Sequence, residues 1–233
     1  MYNPNELYTD SRPISVSNTF FQQVYLWMTA GLGVTALAAF FMLNSASAQQ
    51  LIFGNRMVFY GLIFGELGLV MFMSTAINRI SAATATLMFL GYSALNGITF
   101  AAIFLIYTRS SIVSAFLVTA GTFAAMSMYG YATKRDLTGM GSFLFMGLIG
   151  VVIASVVNIF LNSPMIYWIT SYLGVFIFVG LTAYDTQKIK EIGRAGFANG
   201  QDQRKAALMG ALRLYLDFIN LFLMLLRIMG NRR

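Results

Sequence analysis

From Phe20 to Ile228 the chain is a succession of apolar runs, each about 20 residues long, separated by short polar or charged breaks. A run of that length crosses the hydrocarbon core of a bilayer as an α-helix, which satisfies its own backbone hydrogen bonds where no water is present. Composition agrees. Charged residues make up 10% of the chain and hydrophobic ones 58%, with mean hydropathy +0.71, whereas a soluble domain carries roughly 25% charged residues. The expected fold class is therefore an all-α integral membrane protein, a seven-helix transmembrane bundle.

The spans are expected at residues 20–43, 58–77, 82–107, 112–132, 143–161, 165–187 and 208–229. Breaks separate them at Asn55-Arg56, Asn78-Arg79, Arg109-Ser110, Lys134-Arg135-Asp136 and Asn162-Ser163-Pro164, with a long polar loop at 188–205. Residues 1–19, with Pro4 and Pro13, read as a polar N-terminal tail preceding a single transmembrane domain at 20–233. The tail is not expected to be a signal peptide, because the apolar run after it is long enough to stay in the bilayer. Pairs of small residues at Gly61/Gly65 with Gly68, Gly147/Gly150 and Gly174/Gly180 are expected to let helices approach closely.

Cysteine and histidine are absent. That excludes disulfides, thiolate chemistry, histidine metal ligands and a histidine pH switch. Proton sensing near neutrality would fall to a carboxyl group. The net charge of +7 is read as orientation rather than nucleic-acid binding. Ten of the 15 basic residues, Arg12, Arg79, Lys134, Arg135, Lys188, Lys190, Arg194, Arg204, Lys205 and Arg213, fall on one side. That side is expected to be cytoplasmic, which places the N-terminus inside and the C-terminus outside. The final "RIMGNRR" is then a basic cluster on the outer side. A six-span alternative with a re-entrant last segment would bring it inside, but 208–229 is long enough to cross.

Of eight acidic residues, Glu6, Asp10, Asp136, Glu191 and Asp202 fall in tails or loops. Glu66, Asp185 and Asp217 fall within spans, where an acid costs about 2.5–3.5 kcal/mol at the helix centre. Such groups are tolerated facing the bundle interior, a wet cavity or one another. Asp185 and Asp217 lie on helices adjacent in sequence and at matching depth. Two carboxyl groups in contact do not both ionise cheaply, so the pair titrates as a unit. The plain alternative is two intrahelical ion pairs, since Arg213 precedes Asp217 by one turn and Lys188 follows Asp185 by one turn.

The stretches "GLTAYDTQKIK" (180–190), "LYLDFINLFLMLLRIMG" (214–230) and "GYATKRDLTGMGSFLFMGLIG" (130–150) resemble the transmembrane Bax inhibitor motif family in its bacterial inner-membrane branch. The resemblance covers nearly the whole chain. It implies six helices around a central seventh, a multi-pass protein of the bacterial inner membrane, and a pH-sensitive calcium leak. It implies that Asp185 and Asp217 are a proton-sharing sensor at the cytoplasmic mouth, that Glu66 belongs to the ion path, and that Arg79 pairs with the aspartates.

Three functions compete. A cation leak gated by the pair needs no cofactor beyond Ca²⁺ as the transported ion, held weakly at Asp185, Asp217 and Glu66 and otherwise by water and carbonyls. An intramembrane aspartyl protease would use paired carboxyl groups to activate water. The second acid here sits in "YLDF" rather than a glycine-rich motif, and the prolines are only Pro4, Pro13 and Pro164, so enzymatic activity is not expected. A membrane-embedded regulator acting through protein partners, such as a membrane protease, is the remaining alternative.

Overall fold

The structure, a computed structural model, describes residues 14–233. Most of the expected polar tail, with Glu6, Asp10 and Arg12, lies outside the described residues. Its last part is helical: α1 runs from Ile14 to Leu43, so helix precedes the apolar run that begins at Phe20. After it come α2 (Ala46–Phe53), α3 (Arg56–Ala76), α4 (Ala82–Ile106), α5 (Arg109–Ala132), α6 (Thr138–Leu161), α7 (Pro164–Ala195) and α8 (Gly200–Met229). All but the short α2 are long and apolar enough to cross a membrane, giving seven candidate spans among the described residues. α8 is unbroken over 30 residues, about 45 Å of helix, and offers no break at which a re-entrant segment would turn.

Local sequence explains where the helices begin. Ser45, Asn55, Ser81, Thr108, Ser163 and Asn199 each sit in extended backbone and accept a hydrogen bond from an amide of the first turn, satisfying donors that the helix itself leaves free. α6 lacks such a cap, and Asp136 Oδ1 accepts from the Thr138 amide at 2.8 Å instead. Asn162, at φ 48°, closes α6 in the left-handed region, and Gly196, at φ 76°, stops α7.

The expected polar loop at 188–205 is the largest correction. α7 continues through Lys188 to Ala195 and α8 begins at Gly200. The polar residues were a helix surface: Ile189, Ala207 and Leu208 are buried on the inner side, while Glu191, Arg194 and Arg204 face outward. Polarity marked solvent exposure there, not loss of helix.

α8 is the most buried span. It packs against α1, α4, α5 and α7, while α3 packs on α4 and α6 on α7. Part of the expected glycine pattern marks close approaches: Gly174 lies against Met224 of α8, Gly180 against Leu144 of α6 and Gly147 near Ile177 of α7. Gly61, Gly65 and Gly68 face open space. A side chain at Gly97 would collide with the Thr35 carbonyl, and one at Gly130 with the Ala183 carbonyl, so α4 meets α1 and α5 meets α7 backbone to backbone. Gly141 seats the Tyr184 ring and Gly180 seats Leu144, which knits α6 to α7.

Candidate functional site

Asp217 is set on α8 and Asp185 on α7, the helix pair joined by residues 196–199. The structure brings the two carboxyl groups within direct interaction range. Asp217 is only 5% exposed. Its Oδ2 is buried with no hydrogen-bond donor, which is costly for an ionised oxygen. A carboxylate only accepts hydrogen bonds, so a bond between the two acids requires a proton on one of them.

Arg213 completes the cluster differently from either ion pair expected. Its Nη1 lies 3.8 Å from Asp185 Oδ1, reaching across to α7 rather than along its own helix to Asp217. Lys188 pairs with Glu191 at 2.9 Å instead of with Asp185. Both local pairings are therefore replaced: one by an interhelical bridge, the other by a surface pair. With one proton shared by the acids, Arg213, Asp185 and Asp217 sum to zero charge. Loss of that proton leaves one net negative charge in a poorly solvated place.

The three side chains line a cavity of about 720 Å³ between α6, α7 and α8. Its walls are mostly apolar, including Phe145, Leu148 and Leu181, with Asn220 as a further polar group. Asn220 Nδ2 donates to the Leu216 carbonyl at 2.8 Å, which leaves its Oδ1 as an acceptor. Asn220 is not among the residues to which the sequence pointed. Its position three residues after Asp217, on the same helix face, was the available signal. A second cavity of about 420 Å³ shares Leu148, Val152, Phe178 and Asn220 with the first. A third, of about 470 Å³, shares Asn158, Tyr167 and Arg227 with the second. The three cavities thus adjoin one another along the α6–α8 seam toward the opposite end of the bundle.

Glu66 is not in this groove. It lies on α3, half-buried, and accepts a hydrogen bond from Thr99 Oγ1 of α4 at 2.5 Å. Arg79 is exposed in the turn after α3 and makes no ion pair with Asp185 or Asp217. The expected pairing of Arg79 with the aspartates is therefore not formed here, and Glu66, expected in the ion path, stands apart from them, because α3 packs on α4 and not beside α7. Among the described residues no group of three acidic side chains converges to hold a metal ion, so Ca²⁺ contacts at Glu66 and at the aspartates would be separate.

Two other polar clusters were missed. Tyr215 Oη lies 2.7 Å from Thr35 Oγ1, which also donates to the Ser93 carbonyl at 2.9 Å. Tyr25 Oη lies 3.2 Å from Thr186 Oγ1, beside Asp185 in sequence. Isolated tyrosines and threonines in apolar runs carry no spacing signal that pairs them across helices.

The sequence profile of the family described as inhibitor of apoptosis-promoting Bax1 matches residues 17–233. The chain is similar to inner membrane protein YbhL of Escherichia coli K12, with 53% identity over 223 residues and 95% of each chain covered. It is 46% identical over 228 residues to a protein of Borreliella burgdorferi, covering 98% of each chain. A protein of Deinococcus radiodurans shares 40% identity over 225 residues, covering 97% of this chain and 95% of the relative.

Proposed function

The chain belongs to the Bax1 inhibitor family of membrane proteins, and from that premise we propose that it is a pH-sensitive cation leak, passing Ca²⁺ and gated by Asp185 and Asp217. The observation that carries the reading is the buried, unpartnered Asp217 Oδ2 beside a second carboxyl group. With one proton between them, the acids form a charge-assisted hydrogen bond that ties α7 to α8. As pH rises and the proton leaves, two like charges face each other at low solvation. The helices separate, or water and a cation enter the cavity. The aspartates and Asn220 Oδ1 supply some of the six to eight oxygens that Ca²⁺ requires, and water supplies the rest. Such a partial shell holds an ion weakly enough to release it.

The setting is the bacterial inner membrane, the location named for the Escherichia coli relative. The basic-rich end of the bundle faces the cytoplasm, so a reporter fused after Arg233 is expected to be active outside. Cytoplasmic activity would reverse the assigned orientation. The leak itself is tested with purified protein in liposomes containing a Ca²⁺ indicator. Flux above that of empty liposomes is expected with no other protein present. Its absence in folded, oriented protein would favour a regulator that acts through partners.

A further inference from the structure

The end of the bundle opposite Lys134 and Lys188 has an unusual charge pattern. Arg56, Arg109, Arg227, Arg232 and Arg233 lie there, and no aspartate, glutamate or lysine side chain lies among the described residues of that end. Two of these arginines meet in one place. Arg227 and Arg232 line the 470 Å³ cavity with Tyr167, Trp168, Asn158 and Ser163.

The arrangement is held, not incidental. The segment after α8 is pinned to the α4–α5 turn: the Thr108 amide donates to the Asn231 carbonyl at 3.1 Å and the Arg233 amide to the Ile106 carbonyl at 2.9 Å. Asn231 N also donates to Ser111 Oγ at 2.9 Å. Arg232 Nη2 donates to Tyr167 Oη at 3.2 Å, and the Arg227 guanidinium sits 5.7 Å from the centre of the same ring. Two cations therefore converge on one tyrosine, and neither is paired with an aspartate or glutamate side chain, since the ion pairs among the described residues are Lys188–Glu191 and Arg213–Asp185. Asn158 spends its Oδ1 on the Ser163 amide at 2.8 Å, which leaves its Nδ2 as a further donor. A cavity offering two guanidinium groups and an amide donor is built for a phosphate, which arginine binds with a matching fork.

The cavity adjoins the 420 Å³ cavity walled by Val152, Val156, Ile159 and Met224, sharing Asn158, Tyr167 and Arg227 with it, and Trp168 in its lining is part-exposed. A free phosphate ion would have no use for that apolar cavity, whereas an acyl chain would. We infer that the α6–α8 seam is a binding site for one anionic phospholipid, its phosphate on Arg227 and Arg232 and an acyl chain along the adjoining cavity toward Asn220. Basic pockets between transmembrane helices, ringed by interfacial aromatics, suit such headgroups. The site does not depend on the leak and is tested without measuring flux.

Trp168 lines the cavity, and the chain has only two tryptophans, so Trp27→Phe leaves a single reporter. The detergent-solubilised full chain in that background is titrated with short-chain phosphatidylglycerol, short-chain phosphatidylcholine and inorganic phosphate. Phosphatidylglycerol is expected to shift Trp168 emission saturably, with phosphatidylcholine needing about tenfold more and inorganic phosphate giving no shift over the same range. Arg227→Gln with Arg232→Gln should weaken phosphatidylglycerol by about tenfold or more, as expected for losing charge-assisted hydrogen bonds. The pair Arg56→Gln and Arg109→Gln, the same charge change elsewhere at that end, should bind like the parent. Equal binding of the two lipids, or parent-like binding by the Arg227/Arg232 variant, overturns the site. An equal shift with inorganic phosphate alone makes it a free-anion site and overturns the lipid. Should the double variant fail to stay monodisperse, Arg232→Gln alone, at an exposed position, must still weaken binding several-fold; unchanged affinity overturns the inference.

Discussion

The two sides of α8 treat their polar groups in opposite ways. Tyr215 and Asp217 are two residues apart and so project about 200° from each other around the helix. Tyr215 is fully buried toward α1 and α4. Its hydroxyl is bonded to Thr35, and its ring meets Phe89 and Tyr92 edge-on at 6.0 and 5.9 Å. Asp217, equally hidden, keeps an oxygen with no partner and borders a cavity of about 720 Å³. One face is a fixed wall with its hydrogen bonds complete. The other holds a charge whose stability depends on a proton. A bundle that must change state without unfolding needs both, since low-stability parts move only against parts that do not.

The largest effect is expected on the fixed side. Gly97→Leu would drive a side chain into the Thr35 carbonyl, and overpacking of this kind costs about 1–3 kcal/mol or more. We expect loss of monodisperse protein after solubilisation. A variant with wild-type thermal stability would mean that α1 and α4 are not locked together. A matched pair sharpens the contrast. Tyr215→Phe should destabilise by about 1 kcal/mol through its lost hydrogen bond. Asp217→Asn should leave stability unchanged or raised, because the amide supplies a permanent donor toward Asp185 in place of a shared proton. Thermal unfolding of the two variants at one pH decides this, and a larger loss for Asp217→Asn would show that its carboxylate is well satisfied. The smallest effect is expected for Glu66→Gln. Glu66 sits on α3 against Thr99, away from the cavity, so the variant is expected to lower flux while its pH profile is retained. A flattened profile would join Glu66 to the gate.

Seven spans were legible because about 20 apolar residues in a row leave the chain few alternatives. Asp185 and Asp217 were legible because a carboxylate in such a run has to be explained. What the sequence hid was direction. Arg213 lies one turn from Asp217, yet its side chain reaches Asp185, and spacing along one helix does not encode which neighbour lies across the gap. Gly61 and Gly65 have the spacing of a helix contact and face open space, while Gly174 and Gly180 do mark contacts and the backbone-to-backbone ones fall at Gly97 and Gly130, which nothing nearby marks. The polar 188–205 segment misled for a related reason: helices that outrun the bilayer become polar without ending.

On this reading the two aspartates act as one titrating unit. Ca²⁺ flux into proteoliposomes, measured across pH 5–9 (about the span over which a buried carboxyl pair titrates) for wild type, Asp185→Asn, Asp217→Asn and the double variant, tests it most directly. Asp136 will not confound the series. The Thr138 side chain and amide hold its carboxyl below the usual range, so its cap on α6 is present above that range and is lost only as pH falls well below 5 (roughly the ordinary carboxyl range). Wild-type flux should rise with pH as the shared proton leaves. Each single variant should flatten the profile, and the double variant should match the singles, because groups that act as a unit are not additive. Single variants that keep the wild-type profile, or effects that simply add, would contradict the account and leave Asp185 as no more than the ion-pair partner of Arg213.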